Sequence, residues 1–193
     1  IVQTPYRNAL GFLGRIFGLS QESDVAQAGI TSSKSLLGFA FSWAGEVINY
    51  PCPDKNWKPF AVKAASEILE KEKIGAIISS SPPVISHIIS SELKARYKVP
   101  WIADLRDLWS QNPNYGYSRV RRALDRRLEI RTLAKADAIV TVSEPLSEKL
   151  RTLQTGRPVY TVVSGFDPAD PGGKYQLSSK FTLTYTGTIY PGK

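Results

Sequence analysis

Along this chain, short β-branched runs alternate with longer stretches of helical period. The runs Ile1–Thr4, Ala76–Ser80, Trp101–Asp104, Ala138–Val142, Val159–Val163 and Phe181–Thr186 read as strands. Between them Ser35–Ile48, Trp57–Glu72, Pro83–Tyr97, Arg119–Lys135 and Pro145–Leu153 read as helices. Strand and helix in regular alternation predict βα units, hence an α/β fold on a parallel sheet. The order is clearest at Pro83–Tyr97, where Val84, Ile85, Ile88 and Ile89 form one apolar stripe. There the prolines occupy the first turn and Ser81 is placed to cap. From Pro5 to Asp54 the pattern is broken by Gly11, Gly14, Gly18 and Gly29, and long loops are expected.

Near the other end, Asp167–Ser179 carries Pro168, Pro171, Gly172 and Gly173 and reads as a linker. The expected organisation is a domain over residues 1–166, a linker over 167–180, and the opening strand and loop of a second domain over 181–193. The chain starts at Ile1, contains no Met and stops after a Gly-Lys turn, so it reads as a piece of a longer protein.

Composition narrows the chemistry. Hydrophobic residues make up 42% and charged residues 22% of 193, ordinary globular values. The single cysteine, Cys52, and the single histidine, His87, exclude a disulfide framework and poly-histidine or thiolate metal sites, and a reducing compartment is the default. Cys52 lies between two prolines with no basic neighbour before Lys55, which argues against a reactive thiolate. The longest apolar stretch, near Leu36–Ala44, falls short of the roughly 20 residues that span a bilayer. The net charge is +8. Much of the excess lies in Ser118–Ala136, where seven basic residues face only Asp125 and Glu129. Such a run is either a solvated helix face or a docking face for phosphate-bearing partners. No helix-turn-helix spacing or RNA-recognition pattern accompanies it, so nucleic acid is not expected as a partner.

In an open parallel sheet, ligands bind outside the carboxyl ends of the strands. Three of these ends are polar. Ser79–Pro83 offers small hydroxyls beside a helix N-terminus, with Ser80 and Ser81 as candidate ligand contacts or a helix cap. Asp104–Trp109 sets Asp104, Arg106 and Asp107 on consecutive turns, followed by Asn112; these charges either pair to shape the loop or face a ligand. Ser143 and Glu144 stand where a cap or a ligand contact would. His87, at the edge of its helical stripe, is either a structural residue or a general base. No nucleophile elbow, phosphate-loop or zinc-protease motif is present.

An ordered series then carries a resemblance: S-S-S-P-P, P-W-I-A-D-L-R-D-L-W, A-D-A-I-V-T-V-S-E-P-L, S-G-F-D-P and T-Y-T-G-T-I-Y-P-G-K. Over roughly Ala76 to Lys193 the chain resembles the family-four glycosyltransferases of the GT-B fold, specifically their N-terminal, acceptor-side domain. The resemblance implies a Rossmann-like, doubly wound, mostly parallel sheet. It implies transfer of a sugar from a nucleotide-sugar donor to a glycan or lipid-linked acceptor, with retention of configuration and no metal or other cofactor. Ser164 stands where the family's hinge commonly has Asn, and Arg106 where many members have His.

On that reading Asp104 or Asp107 orients or deprotonates the acceptor hydroxyl, and Arg106 pairs with the diphosphate or holds Asp107. Ser80, Ser81, Asn112, Ser143 and Glu144 bind the acceptor. Gly187 and Thr188 offer backbone amides to the donor phosphates. The implied setting is surface polysaccharide or glycolipid synthesis, cytoplasmic or peripheral on the inner membrane face, with residues 118–136 against anionic lipid. The piece alone is expected to be catalytically silent, since one wall of an interdomain site is missing. A non-catalytic basic module for anionic membrane or nucleic acid is the alternative.

Overall fold

The computed structural model describes residues 1–5, 45–165 and 179–186. The chain divides into two compact units, Ile1–Val163 and Ser164–Lys193.

In the first unit a 3-10 turn, Pro53–Trp57, leads into α1 (Lys58–Lys71), followed by β1 (Ile77–Ser81), α2 (Ile85–Tyr97), β2 (Trp101–Leu105), α3 (Arg119–Leu133), β3 (Ala138–Thr141), α4 (Glu144–Leu153) and β4 (Val159–Thr161). The four strands are all parallel and lie in chain order, β1-β2-β3-β4. This is the α/β fold on a parallel sheet that the alternating pattern predicts, with the Rossmann-like architecture that the resemblance implies. Because strand order follows chain order, right-handed crossovers carry α2, α3 and α4 to one face of the sheet, and α1 packs on α2.

That face is the buried one. Ser79 and Ser81, Trp101, Ala103 and Leu105, Ile139 and Thr141, and Val159 turn into it, while Ile78, Ser80 and Tyr160 on the opposite face are exposed. One apolar cluster joins Trp101, Leu105 and Ile139 to Leu133 and Leu150 from α3 and α4. A second joins Ala61 and Val62 of α1 to Ile85, Ile89 and Leu93 of α2, residues four apart that form a single stripe.

Local signals explain most boundaries. Pro59 and Pro145 sit in the first turns of α1 and α4, where a missing N–H costs nothing. The Ser118 side chain caps α3 by accepting from Arg121 N at 3.2 Å. At the end of α2, Lys98 takes the left-handed conformation with φ 60°.

Several sequence expectations change. Ser81 is not a cap: it is the last residue of β1, and the residue preceding α2 is Val84, with no side-chain cap. Instead the Ser86 hydroxyl donates to Ser80 O (2.7 Å) and Pro83 O (2.9 Å). Ile1–Thr4 is not a strand, and in the second unit neither is Phe181–Thr186, whose Phe181 is 95% exposed. Both runs have strand-like residues but join no sheet among the described residues, and β-propensity without pairing does not make a strand. Of the expected helix Ser35–Ile48, residues 45–48 are helical and the rest lies outside the described residues, as do most of the loops expected over Pro5–Asp54 and of the linker. Among the described residues, no helix is long and apolar enough to cross a membrane.

Candidate functional site

Strand register builds the site's floor. Ser81, Leu105, Thr141 and Thr161 are partners in successive pairings, so the segments following β1, β2 and β3 leave the sheet along one edge. The Thr141 hydroxyl ties the edge by donating to Leu105 O at 2.7 Å. Register also places Ser80 opposite Asp104, both on the more open face. There Ser80 Oγ donates to Asp104 Oδ2 at 2.9 Å, and Arg106 Nε donates to the same oxygen at 3.4 Å.

Arg106 is 60% exposed along its side chain, and the pair is long, so its contribution to stability is small. Asp107, next along, is exposed and makes no hydrogen bond or ion pair among the described residues. The loop-shaping alternative thus accounts for Asp104 with Arg106 and leaves Asp107 unused. Asn112 turns its Oδ1 back to Asn114 N at 2.9 Å, an Asx turn in the same loop.

The remaining expected contacts separate. Ser81 is buried, facing the helical layer. Ser143 precedes α4, but its side chain makes no cap. Glu144 is engaged by Arg151 and by the Thr161 hydroxyl, which hold its carboxyl below the usual range; its contacts lie toward β4 and do not include Asp104. Gly187 and Thr188 lie outside the described residues.

His87 is more deeply buried than its place at the edge of the stripe suggests. It is fully enclosed, with Nδ1 2.7 Å from Ser79 Oγ, which in turn accepts from Trp101 Nε1 at 2.8 Å. Burial pushes its pKa down to about 4, against a small upward pull from Asp104. A neutral, enclosed imidazole is a structural group, not a general base for a substrate at the edge. Cys52 is buried too, with burial lifting its thiol to about 11, so it is inert.

With the fold and this edge in place, comparison with known families decides the class. The family model described as a glycosyl transferase 4-like domain matches residues 14–165. The chain belongs to this family. A search of curated proteins and a search of solved structures each found no match. Membership assigns the glycosyltransferase-like domain a role in glycosyl transfer, with a sugar donor and an acceptor as its partners in general.

Arg121 was counted with the basic face of residues 118–136, yet it is buried. Its Nε donates to Asp125 Oδ2 at 3.0 Å, its Nη2 to Pro51 O at 2.7 Å and Asn49 O at 3.3 Å, and its Nη1 to Glu46 O. The guanidinium carbon also lies over the ring of Tyr50 (4.8 Å) and over that of Tyr117 (4.7 Å). The exposed face of α3 instead carries Arg127 and Arg131 with Val120 and Leu124, at spacings of three, four and seven that share one side of a helix.

The sequence reading also missed Asp125 and Glu129 as interior groups. Their signal was the i, i+4, i+8 spacing of Arg121, Asp125 and Glu129, one helical stripe of charge that turns inward.

Proposed function

We propose that this domain forms the acceptor side of a retaining glycosyltransferase that moves a sugar from a nucleotide-sugar donor to a glycan or lipid-linked acceptor, in surface polysaccharide or glycolipid synthesis. The observation that carries the reading is the strand-end cluster, where Ser80 and Arg106 both hold Asp104 while Asp107 stands unpaired beside them. Departure of the diphosphate builds negative charge, and attack requires an oriented acceptor hydroxyl. In this proposal Asp107 orients or deprotonates that hydroxyl, Asp104 is held as its neighbour, and Arg106 faces the diphosphate or steadies Asp107. Asn112 with Ser80, Ser81, Ser143 and Glu144 completes the acceptor side, although Ser81 and Glu144 would have to exchange their present surroundings to do so. Gly187 and Thr188 would present amides to the donor phosphates, so that cationic and dipolar groups do the work of a metal.

The test is transfer by the intact protein from nucleotide sugars of the uridine, guanosine and thymidine series to octyl glycosides. Asp107→Asn and Arg106→Ala are expected to cut the rate by roughly 10²- to 10⁴-fold with little change in melting temperature. Near-normal turnover in both would remove the cluster from the site. Chelation with EDTA is expected to leave the rate unchanged, and its loss with recovery on adding a divalent cation would contradict the metal-free reading.

A second proposal concerns location, and the α3 face favours it: Val120, 60% exposed, and Leu124 stand beside Arg127 and Arg131. Apolar side chains ringed by cations suit peripheral binding at the inner face of a membrane rich in anionic lipid. Each basic residue near such a surface contributes about 1 kcal/mol. Arg127→Glu with Arg131→Glu is therefore expected to abolish cosedimentation with phosphatidylglycerol vesicles at low salt. No difference between these vesicles and neutral phosphatidylcholine vesicles at low salt would return α3 to a solvated face.

A further inference from the structure

The loop between β2 and α3 begins at the exposed Arg106 and Asp107 and then dives inward, with Leu108, Trp109 and Ser110 all buried. What receives it there is Glu129 of α3, a fully buried carboxylate. Ser110 N donates to Glu129 Oε2 at 3.0 Å, and the Ser110 hydroxyl donates to the same oxygen. Glu129 forms no salt bridge among the described residues, and its Oε1 has no hydrogen-bond partner there. Burial raises its pKa, while the two bonds from Ser110 oppose the rise.

A buried carboxylate without an ion-pair partner in contact is costly, and an apolar side chain of similar volume would serve the core at least as well. All of its polar contacts among the described residues are to Ser110, three residues after Asp107 and two before Asn112. One turn earlier on the same face of α3, Asp125 receives the Tyr115 hydroxyl from farther along the loop. Arg122 reinforces that end by donating to Tyr115 O at 3.3 Å and lying 5.0 Å over its ring. Thus α3 grips the loop at two points, and Glu129 is the grip nearer the strand-end cluster.

We propose that Glu129 is a positioning residue: through Ser110 it sets the placement of the Asp107–Asn112 segment and thereby the enzyme's hold on the acceptor, without touching either substrate. The inference rests on the glycosyl-transfer reading above and deepens it. Loss of the grip changes the acceptor KM and kcat and leaves the donor KM alone, because Asp107 and Asn112, which delimit the segment, are placed on the acceptor side.

Glu129→Leu keeps the volume and removes the acceptor atom. Glu129→Gln keeps an oxygen for Ser110, and Ser110→Ala deletes only the hydroxyl. In the intact protein, hydrogen exchange followed by mass spectrometry should show faster exchange across residues 107–115 in Glu129→Leu, with Glu129→Gln close to wild type. On the octyl glycoside that the wild type glycosylates best, Glu129→Leu should raise the acceptor KM or lower kcat by about 10- to 100-fold in their ratio, the scale of a small misplacement. Glu129→Gln should restore it to within about threefold, Ser110→Ala should fall between, and the donor KM should stay unchanged in all three. Unaltered exchange in both Glu129→Leu and Ser110→Ala would overturn the grip. Faster exchange with unaltered acceptor kinetics, or an equal rise in donor KM, would overturn the acceptor role. No sugar transfer by the wild type would instead overturn the functional reading beneath it, while the exchange data would still judge the grip.

Discussion

Arg121→Ala is expected to lower the free energy of unfolding by about 3–5 kcal/mol, the loss seen when one partner of a buried ion pair is removed. Arg121 and Asp125 are 3% and 2% exposed, and the pair is four residues apart on α3. Removing the guanidinium strands the Asp125 carboxylate with the Tyr115 hydroxyl as its remaining donor, and it leaves the carbonyls of Glu46, Asn49 and Pro51 without theirs. Arg121→Lys should not rescue, since an ammonium has three donors and no plane to set over the rings of Tyr50 and Tyr117. Arg127→Ala, on the exposed face of the same helix, should change stability by about 0.5 kcal/mol or less. Urea unfolding of the three variants gives the comparison. Similar small losses at both positions would mean that Arg121 is a surface residue after all, and would reopen its assignment to the lipid-facing side.

The second large effect is a pH dependence centred on His87. Its pKa falls from 6.5 to about 4 on folding because burial disfavours the charged ring. Below pH 6.5 the unfolded chain therefore binds a proton that the folded chain refuses. Stability from this group is complete above pH 6.5, and it is lost as the pH drops toward 4. At about 1.4 kcal/mol per pH unit, the loss amounts to about 3 kcal/mol across that window. Asp125 and Glu129, whose pKa values burial raises, act in the opposite sense: their contribution is present below their unfolded values and is lost as pH rises through the folded ones. The difference between wild type and His87→Asn cancels them. Unfolding free energies measured from pH 4 to 7 should converge as pH falls, with the wild type losing more. Parallel curves would show that the imidazole is reached by water.

How far sequence alone carried the site is seen in two residues. Asp104 was legible because a charge at the end of a strand-like run in a βα pattern falls at the carboxyl edge whatever the rest of the chain does. That Ser80 and Arg106 share one of its oxygens was not, because it depends on the register of two strands more than twenty residues apart. Glu144 shows the reverse case. Its place at the start of α4 was correctly expected, but Arg151 and Thr161 engage its carboxyl toward the β4 side.

The division between what was readable and what was not follows the range of the forces involved. Four parallel strands, their helices and the prolines that open α1 and α4 follow from periods of two and 3.6 residues and from local backbone chemistry, which act over a few neighbours. Ile1–Thr4 and Phe181–Thr186 have the same local chemistry but pair with no strand among the described residues, so the absence of pairing, a long-range event, withheld the structure their composition favours. Charge behaves likewise. The run from Ser118 to Ala136 is predominantly basic along the chain, but a helix presents only one side to solvent. Packing sent Arg121, Asp125 and Glu129 inward to hold Tyr50, Tyr115, Tyr117 and Ser110, and left Arg127 and Arg131 outside. Which side faces in depends on what the rest of the fold brings against it, and no count of charges along the chain contains that information.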